Sequence, residues 1–375
     1  MRQIPVNCVK EGTILAKTIY NSAGNVLLKE GVELNAALLD RIEENGIYTV
    51  YISDGYSDYV IEDIIKPEIR QKAVKAIRET FDHIIHYNIT MDKETTDFKE
   101  RLMIKGMQKY LRTLKSLSQT IIDDIVSNKK LMINLVDIKN IDSYTYDHSL
   151  SVAILSIVLG IELKLDKNHL QALFIGALLH DVGKAFIPPS IINKRDELTP
   201  EEFAYFKTHT TKGYEYIKDN YGLDANSKVI VLQHHEHYDG SGYPRGTSGG
   251  HINRLARIVC IANIYDQLTS DSPSRRAVPP NDAIEYIMGA AGRYYDFDMV
   301  ETFVKKIIPY PIGTLVQLSN GLIGVVKDIP PNFPMRPQVR YVERGTGKIY
   351  PDIIDLMKEK NITITGVQHV DPKDL

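Results

Sequence analysis

The chain has 375 residues, 43% of them apolar, and a formal charge of −3, which gives length for two or three domains and enough apolar side chain to bury cores without staples. So balanced a charge excludes a broad electrostatic interface for a nucleic acid polymer or an anionic membrane, and any anionic ligand must be held locally. Cys8 and Cys260 offer no disulfide framework and no Cys-x-x-Cys motif, residues 1–7 hold no signal-peptide core, and the longest apolar stretch, 152–163, is too short for a bilayer; the expectation is a reduced, cytoplasmic protein without membrane insertion.

Residues 13–20 and 26–28 read as short strands around Asn21-Ser22-Ala23-Gly24-Asn25, residues 35–44 as a helix stopped by Asn45-Gly46, and 48–52 as a further strand. A small α/β accessory domain over 1–60 follows, either a sensor or a structural cap. From residue 61 to about 130 the composition turns helical and charged, and 61–116 read as a helical linker. Leu111, Leu114, Leu117, Ile121 and Ile125 recur there at three- and four-residue steps, a stripe that either pairs two chains into a homodimer or lies on the next domain, the second being the simpler reading. After Tyr310-Pro311 the pattern changes. Residues 314–318, a Ser319-Asn320-Gly321 turn and 322–326 predict a hairpin, with strands over 339–342 and 362–367, so that 311–375 form a small β-rich domain.

Between these ends, residues 144–308 carry apolar helical patterns and the candidate chemistry. Two runs dominate: Leu178-Leu179-His180-Asp181-Val182-Gly183-Lys184, and His234-His235-Glu236-His237-Tyr238-Asp239-Gly240-Ser241-Gly242-Tyr243-Pro244. Each sets metal-competent donors at the end of an apolar helical stretch, where side chains of different helices can converge. An aspartate beside a histidine offers a carboxylate able to bridge two cations while the imidazole binds one. His148 precedes an apolar helix, and His209 lies on a segment opened by Thr199-Pro200-Glu201-Glu202, with Gly213 one turn later. Alone, either histidine would ordinarily be structural. Together the donors point to a metal cluster inside a helical bundle, suited to hydrolysing a phosphate ester.

Lys184, three residues after Asp181, can reach a bound phosphate or protonate a leaving oxygen, the alternative being a solvated helix-end cation. The glycine-rich loop ending in Gly242-Tyr243-Pro244 can bring backbone amides near an anion, and Tyr243 either stacks on a base or orders the loop. His237 faces either a substrate or solvent. His83, His86, His169, His251 and His369 lack clustered partners and read as surface or satisfied histidines.

Over about 117–308 these residues resemble the HD-GYP family, a branch of the HD phosphohydrolases: His180-Asp181 gives the HD and Gly242-Tyr243-Pro244 the second signature, with matching Ile187-Pro188, Leu198–Glu202, His209-x-x-x-Gly213 and a helix over 257–270. The resemblance implies a multidomain, mainly α chain whose HD-type helical bundle spans 117–310. It implies that His148, His180, Asp181, His209, His234 and His235 ligate two divalent ions, iron or manganese, with Asp181 bridging. It implies that Lys184 contacts the phosphate, and that cyclic di-GMP is hydrolysed to pGpG or GMP through a hydroxide shared by the two metals.

Three positions depart from the family. Asn263 stands where an aspartate usually completes one metal; its amide oxygen can still ligate, but without charge, and Asp266 three residues on either orients a ligand from behind or partly substitutes. Tyr144 replaces the glutamate that holds a third metal in some relatives, so two metals are expected. Ser272-Pro273-Ser274-Arg275 replaces an arginine- and tyrosine-bearing run that grips the nucleotide, which leaves Arg275, Arg276 or Arg245 to compensate. The alternatives to a cyclic di-GMP phosphodiesterase are therefore a degenerate receptor, binding the nucleotide or a partner protein without turnover, and a hydrolase of a related cyclic dinucleotide.

Overall fold

A computed structural model describes residues 1–21, 25–56, 59, 64–91, 97–127, 144–194, 196–218, 222–271 and 276–375, with backbone alone for 87–91, 97–104 and 144. They fall into two compact units, one holding Met1–Ile64 and Lys305–Leu375, the other Ile65–Leu131 and Tyr144–Val304.

The first unit begins with strands β1 (Arg2–Pro5), β2 (Ile14–Leu15), β3 (Ile19–Tyr20) and β4 (Val26–Leu28), helix α1 (Ala36–Glu44) and strand β5 (Thr49–Ser53). β5 lies between β1 and β2 in an antiparallel sheet, and β3 pairs with β4. Asn35 caps α1 by accepting from the Leu38 amide at 2.9 Å, and the helix stops where Gly46 takes φ +70°. Leu15, Ile19, Leu34, Ile42 and Val50, all at 0% exposure, form the core, each contributing about 1.5–3 kcal/mol.

The same unit ends in strands β6 (Leu315–Leu318), β7 (Ile323–Asp328), β8 (Gln338–Val342), β9 (Ile349–Asp355) and β10 (Ile364–Val367), a sheet in the order β10-β6-β7-β8-β9. Sequence reading misses β1 and β9. Pro351 interrupts the β9 pattern, yet β9 is an edge strand, where a missing amide donor is tolerated. The two terminal segments pack together rather than standing apart as 1–60 and 311–375. Tyr56 joins the core of Leu315, Ile323, Val325 and Val342, its hydroxyl donates to Asp371, and Lys10 pairs with Asp374.

The second unit is helical: α2 (Pro67–Met91), α3 (Asp97–Ser127), α4 (Tyr144–Glu162), α5 (Lys167–Leu179), α6 (Pro189–Ile192), α7 (Pro200–Lys207), α8 (His209–Ile217), α9 (Ala225–Gln233), α10 (Arg254–Thr269), α11 (Pro280–Gly289) and α12 (Phe297–Val304). α5 is the central element, packed by α4, α9, α3 and α10. Leu170 and every residue from Ala172 to Leu179 are buried, which accounts for its near-continuous apolar sequence. Small residues set the spacing: a Cβ on Gly176 would lie 2.5 Å from Ile230, and Ser227 of α9 donates to the Ala172 carbonyl at 2.8 Å. The stripe Leu111, Leu114, Ile121 and Ile125 is buried inside this unit, where α3 packs on α2 and α5. The expected linker thus belongs largely to the bundle. Among the described residues no helix is long and apolar enough to cross a membrane.

Candidate metal centre

Three helix ends and one helix interior supply the centre. His180 is the C-cap of α5, with Asp181 next and Lys184 in the single 3-10 turn Val182–Phe186; His209 opens α8 directly after α7; His234 is the C-cap of α9, followed by His235; His148 projects from α4. α7 itself is set by a full capping box, Thr199 with Glu202, behind Pro200. α5 and α9 both direct carboxyl ends at the centre, and the partial negative charge there favours cations.

Asp181 lies in the middle, 1% exposed. Its Oδ2 is 3.3 Å from His180 Nε2 and 3.7 Å from His148 Nε2, while Oδ1 is 3.5 Å from His209 Nε2 and 3.9 Å from His234 Nε2. Ligand atoms within 4.8 Å of one another accordingly fall into two sets, His148 with His180 and Asp181, and Asp181 with His209, His234 and His235. One carboxylate therefore addresses two groups of imidazoles.

The rings are oriented from behind. His180 Nδ1 lies 2.7 Å from the Ala177 carbonyl, His209 Nδ1 2.8 Å from Phe206, His234 Nδ1 3.0 Å from Val231, and His148 Nδ1 2.7 Å from Asp266 Oδ2. A carbonyl or carboxylate can only accept, so Nδ1 carries the proton and each Nε2 turns a lone pair inward. Burial first of all pushes His148, His234 and His235 below the ordinary imidazole value, and His209 down to about 4. They are neutral at pH 7. Burial alone would raise Asp181, but the His180 ring and the Lys184 ammonium, 2.6 Å from Oδ2, hold it well below the usual carboxylate range.

This arrangement fits divalent cations. His209 Nε2 and His234 Nε2 stand 3.4 Å apart with no proton left for either to donate, a separation that two ligands bound at about 2.0–2.1 Å to one ion take up. His180 Nε2 and Asp181 Oδ1 are buried without a hydrogen-bond partner among the described residues, a costly state that a cation relieves. Nitrogen and oxygen donors without thiolate suit iron, manganese or another borderline ion.

The loop after α9 closes over His235. Tyr243 stacks on that ring, centroids 4.7 Å apart at 23°, and its amide donates to the His235 carbonyl at 3.0 Å. Gly242 permits the reversal, since a Cβ there would lie 2.2 Å from the His237 amide nitrogen. The loop is pinned by a residue that sequence reading passes over. Glu236 is 2% exposed, and its carboxylate accepts from the amides of Arg245 at 2.9 Å and Thr247 at 3.0 Å. A glutamate inside the histidine run was the only signal. Pro244 is half-buried and the Arg245 side chain exposed. His237 bonds to Ser241 and packs on Tyr294, so it serves the loop's own structure.

Two expected groups beside the cluster make contacts along or out of α10. The Asn263 amide oxygen accepts from Gln267 Nε2 at 2.9 Å, one turn along α10, while Asp266 is the carboxylate behind His148. Arg275 and the rest of Ser272–Arg275 lie outside the described residues, as does the Tyr144 side chain.

Residues 121–299 match the HD domain family and residues 315–375 match a KOW domain associated with HD domain. The chain is 32% identical over 234 residues to a cyclic di-GMP phosphodiesterase of Pseudomonas aeruginosa, a stretch covering 62% of this chain and 56% of that one. It is 29% identical over 273 residues to a cyclic di-GMP phosphodiesterase of Thermotoga maritima, covering 70% and 72%, and 34% identical over 163 residues to the 3'3'-cGAMP-specific phosphodiesterase 1 of Vibrio cholerae, covering 44% and 37%. The match thus spans little more than half the length of the Pseudomonas relative.

Proposed function

We propose, from the HD domain that this chain carries and its likeness to HD-GYP phosphodiesterases, that it is a metal-dependent hydrolase of a cyclic dinucleotide, cyclic di-GMP before others, yielding pGpG or GMP. The observation that carries the reading is Asp181, whose two oxygens face two separate groups of inward-turned imidazoles. In this reading His148, His180 and Asp181 Oδ2 hold one ion, while Asp181 Oδ1, His209, His234 and His235 hold the other. A pair of divalent cations, iron or manganese, supplies Lewis acidity toward a phosphoryl oxygen and lowers the pKa of a bound water.

The chain's own groups do the rest. Burial keeps the imidazoles of His148, His209, His234 and His235 neutral and so available as ligands at pH 7. Lys184, held beside Asp181 with 18% of its side chain exposed, meets the scissile phosphate and offsets charge developing on its oxygens. Asp266 fixes the His148 ring, and Glu236 fixes the loop that bears Gly242, Tyr243, Pro244 and Arg245 against the ligand. Asn263, whose oxygen accepts from Gln267 and keeps a second lone pair, is the remaining uncharged donor of this reading.

Incubating iron- or manganese-loaded protein with cyclic di-GMP and separating the products tests this. The expected outcome is pGpG or GMP from the wild type and at least a thousandfold slower release from Asp181→Asn; no product with either metal would refute it. Similarity to the Vibrio enzyme favours one second reading, a preference for 3'3'-cGAMP, which competition between the two cyclic dinucleotides decides.

A further inference from the structure

Helix α7 presents Phe203, Phe206 and Lys207 on one face, at the i, i+3, i+4 spacing that makes side chains neighbours. Lys184 Nζ sits 5.7 Å from the centre of the Phe206 ring, and Phe206 packs on His209. Lys207 Nζ sits 5.1 Å from the Phe203 ring and 5.9 Å from the Tyr243 ring, the same ring that stacks on His235. Two ammonium groups therefore lie along the α7 side of the centre.

Their neighbours differ. Lys184 is on Asp181, Lys194 on Glu202, and Lys212 is bound by the Tyr205 hydroxyl and the Phe186 carbonyl. Lys207 is half-buried, and among the described residues it has ring faces and no carboxylate. A cation held by two aromatic faces is fixed in place, yet its N–H donors remain free for an anion. Phe203, 46% exposed, leaves nearly half of its surface open beside it.

We propose that this face of α7 is the second half of the ligand grip, with Lys207 receiving the phosphate of the cyclic dinucleotide that is not being cleaved and Phe203 stacking on one of its bases. The inference rests on the phosphodiesterase reading above. It divides recognition in two: Lys184 and the metal centre take the scissile group, and Lys207 and Phe203 take a phosphate and a base that a smaller phosphodiester lacks. Preorganisation by the rings lowers the entropy lost when the lysine binds, and an exposed aromatic face accepts any base.

The test uses full-length, manganese-loaded protein and two substrates, cyclic di-GMP and bis(p-nitrophenyl) phosphate, which has one phosphate and no base. Lys207→Gln should raise KM for cyclic di-GMP about tenfold or more, with kcat within threefold, and the penalty should be at least five times smaller for the small diester. Lys207→Arg should restore most of the loss, and Phe203→Leu should raise KM for the dinucleotide about fivefold. Calorimetric titration of the calcium-loaded chain with cyclic di-GMP should follow the same order. A dinucleotide KM and dissociation constant untouched by Lys207→Gln would overturn the inference and leave the phosphodiesterase reading intact. So would a Lys207→Gln protein that loses manganese or melts lower, which would make the residue structural. A wild type that cleaves the small diester but neither binds nor cleaves a cyclic dinucleotide would overturn both.

Discussion

Replacing Gly183 with alanine should cost the chain the ion proposed at His209, His234 and His235 while leaving it folded. A Cβ on Gly183 would lie 1.8 Å from the His209 carbonyl oxygen and 2.7 Å from the Gly213 nitrogen, both backbone atoms that cannot rotate away. Ordinary contact is about 3.5 Å, so the start of α8 must retreat by roughly 1.7 Å. Metal–ligand distances tolerate only about 0.2 Å, and His209 moves with the backbone it sits on. Overpacking of this kind costs about 1–3 kcal/mol, a melting point a few degrees lower rather than an unfolded chain. The ion set built on His209, His234 and His235 should therefore empty or bind at least a hundredfold more weakly, and dinucleotide hydrolysis should fall by a similar factor. Metal content by mass spectrometry, a thermal melt and a product assay on one preparation separate these effects. Gly250→Ala is the control, because nothing lies within 4 Å of its added Cβ. A Gly183→Ala protein with two ions and wild-type turnover would refute the reasoning.

Glu236→Ala leaves the Arg245 and Thr247 amides without their acceptor and should cost roughly 2–4 kcal/mol; a lower melting temperature and proteolytic nicking within 239–247 are expected, and an unchanged melt would mean the loop is held elsewhere. Asp266→Asn should weaken the ion at His148 and His180 about 10–100-fold while sparing the other, as read by competition with a metallochromic chelator; equal loss at both sites would contradict the assignment. Lys184→Met should lower kcat on cyclic di-GMP by about 100–1000-fold with ion content retained, and a normal rate would remove Lys184 from the phosphate. Acid should destabilise the ion-free chain. His209 has a folded value near 4 against 6.5 when unfolded, so the unfolded state binds the extra proton, and stability present above pH 6.5 is lost as the pH falls toward 4, by about 3 kcal/mol from this ring alone. Urea midpoints of chelator-treated protein at pH 7.5 and 5 measure it, and equal midpoints would show that the ring is not buried neutral.

Much of this architecture is legible in the lettering because local rules and global packing agree there. Asn35, Asp166, Thr199 and Asp224 each cap the helix they precede, and the Ser319-Asn320-Gly321 turn joins the strands expected on either side of it. What stays hidden is association between distant segments. Nothing in residues 1–60 announces that Tyr56 completes a core with Leu315 and Val342, because an apolar strand face does not say which partner covers it. Nor does the α3 stripe say whether it packs on a second chain or on its own bundle, and only the burial of Leu111 and Ile121 decides.

The metal centre follows the same division at finer grain. Three of its rings are aimed by the carbonyl three residues earlier: His180 by Ala177, His209 by Phe206, His234 by Val231. All three histidines sit where a helix has just ended and its last carbonyls lack intrahelical donors, so one local rule both frees the acceptor and turns the ring, and a histidine at the end of an apolar helix carries its orientation in its position. His148 is different. It lies inside α4, where the preceding carbonyls serve the helix, and its Nδ1 must look to a side chain, Asp266, 118 positions away. No spacing rule predicts that partner. Asn263 shows the local case again, its oxygen accepting from Gln267 at i+4, a pairing that the helix register itself offers. Three backbone carbonyls survive any side-chain substitution, whereas the His148 buttress is one carboxylate, so among these four rings only the aim of His148 can be lost by replacing the group that accepts from its Nδ1.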